Sequence, residues 1–148
     1  PYPNGLVIFG NRFFGHQISR GDIVVVENNT IDEYSKKLLS EPSGWVKRVI
    51  GISGDTVELK DGTVYVNSEA LKEPYIAKPR STFGQMFLRD CTKVVVPQDL
   101  VFIMGDNRKG SGDSREIGHV SLNDIRYVLP FSAQKGVLDK NWRNTSCM

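Results

Sequence analysis

The sequence is short of cysteine, of net charge and of long apolar runs, and each shortage excludes a class of protein. Its 148 residues include only two cysteines, Cys91 and Cys147, too few for a disulfide scaffold and without the spacing of metal ligands. One disulfide between them and two free thiols are both compatible with the sequence. The net charge is +2, which does not favour a nucleic-acid partner. The longest apolar runs, such as Leu100–Met104, are far shorter than the ~20 residues of a transmembrane helix.

The familiar motifs of hydrolases and metal enzymes are also missing. The sequence has no Gly-x-Ser-x-Gly elbow, no His-Glu-x-x-His pair, no Cys-x-x-Cys pair and no glycine-rich phosphate loop after a strand. Only His16 and His119 could serve a histidine-based triad. No metal and no organic cofactor is implied. The composition, 39% apolar and 24% charged, is that of an ordinary globular domain, so we expect residues 1–148 to form a single domain.

What the sequence does contain is a series of short β-branched runs bounded by glycine, proline and aspartate. This pattern is typical of an all-β protein. Strands are predicted at residues 6–9, 23–26, 45–50, 56–60, 63–67, 93–96, 100–104 and 125–129. Asp61 and Gly62 lie between two of these runs and predict a type I′ hairpin, because both turn positions need a positive φ.

One helix interrupts the predicted strands, within residues 29–43. Thr30 and Glu33 match a capping box, and apolar residues then recur at helical spacing until a proline. A single helical turn is predicted at residues 121–124. Residues 77–90 show no clear period and are predicted to form a long surface excursion.

The most unusual segment is residues 105–118, which carries four glycines, two aspartates, two serines and two arginines directly after an apolar strand. A solvated turn is the plain interpretation, since these residue types favour turns. Asp113 and Arg115 would point to one face of an extended backbone, however, and could pair there to hold the loop in one geometry.

This segment resembles the glycine–aspartate box of type I signal peptidases, the membrane-anchored Ser/Lys proteases of family S26 that remove signal peptides. The matching positions are Gly105-Asp106-Asn107-Arg108, Ser111, Asp113-Ser114-Arg115 and Gly118. Residues 20–25 resemble the family's Gly-Asp-Ile-Val box, and residues 46–57 its Lys-Arg box, with Ser53 where a proline is usual. Glu73-Pro74-Tyr75 and Pro130-Phe131 fit the same pattern. The resemblance therefore covers most of the chain and implies an all-β fold of coiled antiparallel sheets with one short inserted helix.

The resemblance assigns the chemistry of the site to Lys47 and Ser111. Lys47 matches the general base, which must be a neutral amine although the ordinary pKa of lysine is about 10.4. Burial without a counter-charge favours the neutral form. On a strand, Lys47 shares a face with Trp45 and Val49. Ser111 matches a serine that orients the lysine, and a hydroxyl can do so without adding charge.

Five further residues match positions that support the site. Asp113 and Arg115 match a pair that braces the loop, and Asp106, Arg108 and Arg48 are expected to have scaffolding roles. None of the five is expected to act on the substrate itself.

The front of the sequence departs from the family's pattern. The family's Ser-Met-x-Pro box would end at Pro1 or Pro3, so the resemblance places the nucleophilic serine and the amino-terminal membrane anchor before Pro1. It implies a domain on the extracytoplasmic face of the cell membrane that binds signal peptides of exported preproteins as an added strand. We expect the chain by itself to lack the nucleophile.

Two alternatives remain open at this stage. A non-cutting relative could bind extended peptides and assist the assembly of pilus subunits or surface proteins. A cytosolic self-cleaving repressor of related fold would require a DNA-binding domain upstream, and it fits the boxes less well. The residues before Pro1 discriminate between cutting and non-cutting relatives: Ser-Met indicates a peptidase, whereas aspartate or glycine at the serine position indicates a binding protein.

Overall fold

The computed structural model describes residues 6–8, 11–13, 17–39 and 43–134. Within these ranges it has eleven strands, two α-helices and two 3₁₀ helices. The strands are β1 (Leu6–Ile8), β2 (Asn11–Phe13), β3 (Ile23–Val26), β4 (Trp45–Gly51), β5 (Thr56–Lys60), β6 (Thr63–Val66), β7 (Glu69–Ala70), β8 (Lys93–Val95), β9 (Leu100–Met104), β10 (Val120–Ser121) and β11 (Ile125–Leu129). The helices are α1 (Asn29–Leu39) and α2 (Ser114–Ile117), with 3₁₀ turns at Leu122–Asp124 and Phe131–Ala133.

All strand pairs are antiparallel, in two main sheets and one hairpin. The five-stranded sheet has the order β10–β9–β4–β3–β11, and the four-stranded sheet the order β7–β6–β5–β8. β1 pairs with β2. The predicted all-β class is confirmed, and the predicted inserted helix is α1, which lies between β3 and β4.

Strand β9, next to the central strand β4, is apolar throughout because both of its faces are buried. Val101 and Ile103 join one hydrophobic core, and Phe102 and Met104 join the other. Successive side chains of a strand point to opposite faces, so one continuous apolar run supplies two cores. β4 pairs with β9, and its second half also supplies both cores: Val49 joins the first and Ile50 the second. The strand that carries Lys47 is therefore anchored on both sides.

The turn predictions hold in detail. Asp61 and Gly62 have φ of 51° and 73°, as a type I′ hairpin requires. The turn predicted at residues 121–124 is a 3₁₀ helix that Ser121 caps, its hydroxyl accepting from the Asn123 amide at 3.2 Å. The sequence does not predict β2, β7 and β10, because two or three residues show no period.

The predicted cap of α1 is wrong. The helix begins at Asn29, and the side chain of Asn28 accepts from the Ile31 amide at 2.9 Å, so Asn28 rather than Thr30 is the N-cap. The side chain of Asn28 is held in place because its Nδ2 donates to the Asp124 carboxylate at 2.8 Å. Among the helices of the described ranges, none combines the length and the hydropathy of a membrane-spanning segment.

The predicted surface excursion at residues 77–90 forms no helix or strand and is mostly exposed, but two of its residues anchor it to the protein. Thr82 and Leu88 are fully buried. The amides of Phe87 and Leu88 both donate to the Arg115 carbonyl, at 2.8 and 3.0 Å. The segment lacks a period because single backbone contacts, and no regular ladder, attach it to the protein.

Candidate active site

Lys47 and Ser111, far apart in the sequence, meet in space. The Lys47 Nζ donates to the Ser111 Oγ over 3.0 Å, and the centre of the Trp45 ring is 5.1 Å from the same nitrogen. The predicted proximity of amine and hydroxyl is therefore observed, while the catalytic roles of the two residues stay predictions. Lys47 also borders a small open cavity, whose other lining residues are Ile23, Val46, Arg48 and Asp106.

The surroundings of Lys47 favour a neutral amine. Burial lowers the pKa of Lys47; Asp113 and Asp106 act in the opposite direction, and Arg115 reinforces the lowering. Lys47 is not in any ion pair formed within the described part of the chain. The two nearby carboxylates are instead bonded to guanidinium groups, Asp113 to Arg115 and Asp106 to Arg48.

The hydroxyl of Ser111 is oriented by the backbone of the next residue, Gly112. Its Oγ donates to the Gly112 carbonyl at 3.3 Å and so presents a lone pair to the Lys47 amine. Gly105 makes room for it: a Cβ on Gly105 would lie 2.6 Å from the Ser111 Cβ. The Ser111 carbonyl accepts from the Gln85 side chain at 3.1 Å.

Asp113 and Arg115 form the predicted pair, but not on an extended backbone. Asp113 is the N-cap of α2, and Arg115 lies in the first turn of that helix. The Asp113 carboxylate accepts from the Arg115 side chain at 2.9 and 2.8 Å, and from the amides of Arg115 and Gly105 at 3.1 Å each. Both side chains are at most 1% exposed. The helix turn, which the sequence does not predict, brings the guanidinium back over the carboxylate.

Arg108 connects the loop to the excursion. Its buried guanidinium donates to the Gly105 carbonyl at 3.0 Å and to the Thr82 hydroxyl at 2.8 Å. It also forms a buried ion pair with Glu73. Arg108 thus holds Gly105, the residue that makes room for Ser111, from the side opposite Asp113.

Arg48 points away from Lys47, into the other side of the sheet. It donates to the Asp106 carboxylate at 2.9 and 2.8 Å and to Gln134 at 2.7 Å. Its guanidinium lies 3.9 Å from the centre of the Tyr75 ring. The ring and the carboxylate together replace the water that a buried guanidinium would lose.

Sequence reasoning missed three features of the site: the side chains of Thr82 and Gln85, and the pairing of Glu73 with Arg108. The resemblance to the family already included Glu73, but it did not indicate that Glu73 pairs with Arg108. Thr82 and Gln85 carry no local signal, because a polar residue in an irregular segment is usually exposed.

The described residues thus form a mainly β protein in which guanidinium–carboxylate pairs brace a partly buried amine–hydroxyl pair. The family model described as signal peptidase, peptidase S26, matches residues 2–129. The chain belongs to this family.

Individual relatives agree with that assignment. The chain is 38% identical over 128 residues to a signal peptidase I of Bacillus amyloliquefaciens, covering 82% of this chain and 61% of the relative. It is 37% identical over 107 residues to a signal peptidase I of Bacillus licheniformis, covering 70% of this chain and 52% of the relative. The chain thus spans little more than half the length of these relatives. A crystal structure of a signal peptidase I from Enterococcus faecalis superimposes with a TM-score of 0.57 at 26% identity, covering 78% of this chain and 98% of that one.

Proposed function

We propose that this chain is the extracytoplasmic part of a membrane-associated serine endopeptidase that removes signal peptides from exported preproteins. Lys47 is the general base in this proposal, and the nucleophile is a serine that precedes Pro1. The observation that supports it best is the Lys47 amine, which is partly buried, bonded to a neutral hydroxyl at 3.0 Å, and has a lowered pKa. A lysine with these surroundings is suited to take a proton rather than to carry a charge.

The proposed reaction begins when the amine of Lys47 takes the proton of the attacking serine. The serine oxygen forms a bond to the scissile carbonyl carbon, and the resulting ammonium returns the proton to the leaving amine as the peptide bond breaks. Water then hydrolyses the acyl-enzyme, again with Lys47 as the base. Ser111 accepts one N–H of the amine, which leaves the nitrogen lone pair free for the attacking hydroxyl.

The substrate proposed here is an extended peptide. Small residues at positions −1 and −3 are typical of signal-peptide cleavage sites. Such a segment can pair with a strand edge through its main chain while shallow pockets accept alternate side chains.

The test is cleavage of a labelled preprotein by the full-length natural protein in membranes. We expect Lys47→Ala and Lys47→Arg to lower kcat/KM about 10²–10⁴-fold, because a guanidinium cannot be deprotonated and alanine has no base. The Tm of the Lys47→Ala variant should stay close to that of the parent. Lys60→Ala, at an exposed lysine that ends β5, is the matched control and should cleave normally.

Two results would contradict the proposal. Efficient turnover by the 148-residue chain alone, lost on Ser111→Ala, would make Ser111 the nucleophile. Tight binding of the preprotein by the full-length protein without any cleavage would support the non-cutting alternative, a protein that assists the assembly of pilus subunits or surface proteins.

A further inference from the structure

Helix α1 contacts the site although it contributes no residue to any of the three boxes. The ring of Tyr34 meets the ring of Trp45 edge to face, with centres 5.3 Å apart and planes at 90°. The next residue, Ser35, accepts from the Trp45 Nε1 at 3.2 Å and donates to the Ser43 carbonyl at 3.1 Å. Ser35 is 2% exposed, so this bond is made away from bulk water. Trp45, whose ring lies beside the Lys47 amine, is therefore held by two neighbouring side chains of α1.

The same tyrosine also lies against the backbone next to Ser111. A Cβ on Gly112 would lie 2.7 Å from the Cε1 of Tyr34 and 3.1 Å from its hydroxyl oxygen. The ring therefore packs directly on Gly112, whose carbonyl accepts the Ser111 hydroxyl at 3.3 Å. One side chain thus contacts the neighbours of both members of the amine–hydroxyl pair.

We propose that Tyr34 is a positioning residue of the active site, its ring holding Trp45 beside the Lys47 amine and Gly112 beside the Ser111 hydroxyl. The assignment of Lys47 as the base that is positioned rests on the proposed function. The contacts themselves do not depend on it. Helix α1, which lies outside the three boxes, thereby holds residues that contact Lys47 and Ser111.

The consequence of losing Tyr34 can be derived from two opposing effects of the Trp45 ring. The ring excludes water from the amine, which disfavours the ammonium form, and it attracts the ammonium by a cation–π contact, which favours it. A cation–π contact at a partly exposed site shifts a pKa by only about 0.5 unit, whereas burial shifts it by several units. Burial is also the largest influence on Lys47. A loosened ring should therefore raise the pKa of Lys47.

The charged groups that face Lys47 allow this shift to be attributed. They are Asp113, Asp106 and Arg115, and each is fixed by hydrogen bonds that do not involve α1. Shortening Tyr34 leaves these charges in place. A change in the pKa of Lys47 would therefore come from a displacement of the Trp45 ring or of the Ser111 hydroxyl.

The experiment is a titration of Lys47 in the 148-residue chain, labelled with ¹³C-lysine and followed by NMR, with Lys47→Arg to identify the resonance. We expect Tyr34→Ala to raise the pKa of Lys47 by about 0.5–1 unit toward its ordinary value. Tyr34→Phe keeps the ring and should stay within about 0.2 unit of the parent, a shift far below the effect of burial. Leu38→Ala, at a residue of the same helix that is 68% exposed, is the matched control and should not move the pKa.

A folded Tyr34→Ala chain whose Lys47 titrates as in the parent would overturn the proposal. If that variant does not fold, Tyr34→Leu, which fills most of the space, is titrated instead and decides the question by the same criterion. The titration needs no turnover. A raised pKa in a protein that fails to cleave preproteins would support the positioning role of Tyr34 and refute the proposed function. In an active full-length protein, the acidic limb of the kcat/KM profile should move up by the same amount as the titration.

Discussion

Replacing Asp113 by asparagine would remove one negative charge from the interior while preserving the shape of the side chain. Asparagine caps a helix as well as aspartate does, so α2 keeps its N-cap. What changes is the electrostatic surroundings of Arg115, whose guanidinium is 1% exposed and loses its only bidentate partner in the described part of the chain.

The expected cost follows from that burial. Removing one partner of a buried, hydrogen-bonded ion pair leaves a charge that neither water nor a carboxylate compensates, and this costs about 3–5 kcal/mol. The carbonyls of Phe83 and Arg108 still accept from Arg115, at 3.0 and 2.9 Å, so the lower half of that range applies. For a chain of this length, about 3 kcal/mol lowers the Tm by about 6–12 °C.

The assay is urea unfolding of Asp113→Asn beside Glu27→Gln, which removes a carboxylate from an exposed pair. Glu27 and Arg126 are 3.6 Å apart with both side chains half exposed, so this control should lose less than about 1 kcal/mol. Equal and small losses in the two variants, at unchanged m-values, would refute the argument that Asp113 braces the loop through a buried charge. Adding Arg115→Met to Asp113→Asn should restore part of the lost stability, since it removes the unpaired charge.

Two further predictions concern space and protonation. Gly105→Ala should lower the free energy of unfolding by about 1–3 kcal/mol and displace Ser111, because the added Cβ would lie 2.6 Å from the Ser111 Cβ. The control is Gly110→Ala, whose Cβ would meet only the flexible side chain of Asn107. If Gly105→Ala were as stable as the parent, the contact between Gly105 and Ser111 would be contradicted. His119 packs edge-on against two aromatic rings, and burial lowers its pKa below the ordinary 6.5. The unfolded chain therefore takes up a proton before the folded chain does, and stability should fall as the pH drops below 6.5, by at most about 1.4 kcal/mol per pH unit. Urea unfolding between pH 7 and 5 should show this slope in the parent but not in His119→Phe, and equal slopes would contradict it.

The strands and the site pair could be predicted because their signals are local or repeated. β-branched runs that alternate or stay apolar identify β4, β5, β6 and β9 without any knowledge of their neighbours. Lys47 and Ser111 could be placed together because both lie in boxes that the family resemblance recognises. Asp61-Gly62 needs only its own two φ angles to define a turn.

The remaining features depend on partners that are remote in the sequence. Asn28 becomes the cap of α1 partly because Asp124 holds its side chain, and nothing near residue 28 indicates this. Leu88 packs into the second hydrophobic core, and its amide donates to the Arg115 carbonyl. No local pattern indicates this bond, because any residue type can supply a backbone carbonyl. The contact between Tyr34 and Gly112 is likewise invisible, since the glycine is required by a ring on a distant helix.

The division of β9 between two cores also limits how related chains can change in length. Inserting or deleting one residue within Leu100–Met104 would exchange the core faces of Val101 and Phe102 and move Gly105 away from Ser111 in the same event. A single indel there would damage both cores and the site together. Length variation is instead expected in the connections that no ladder constrains, as between β3 and β4, and new side chains such as Tyr34 can reach the site from there without disturbing the sheet that carries it.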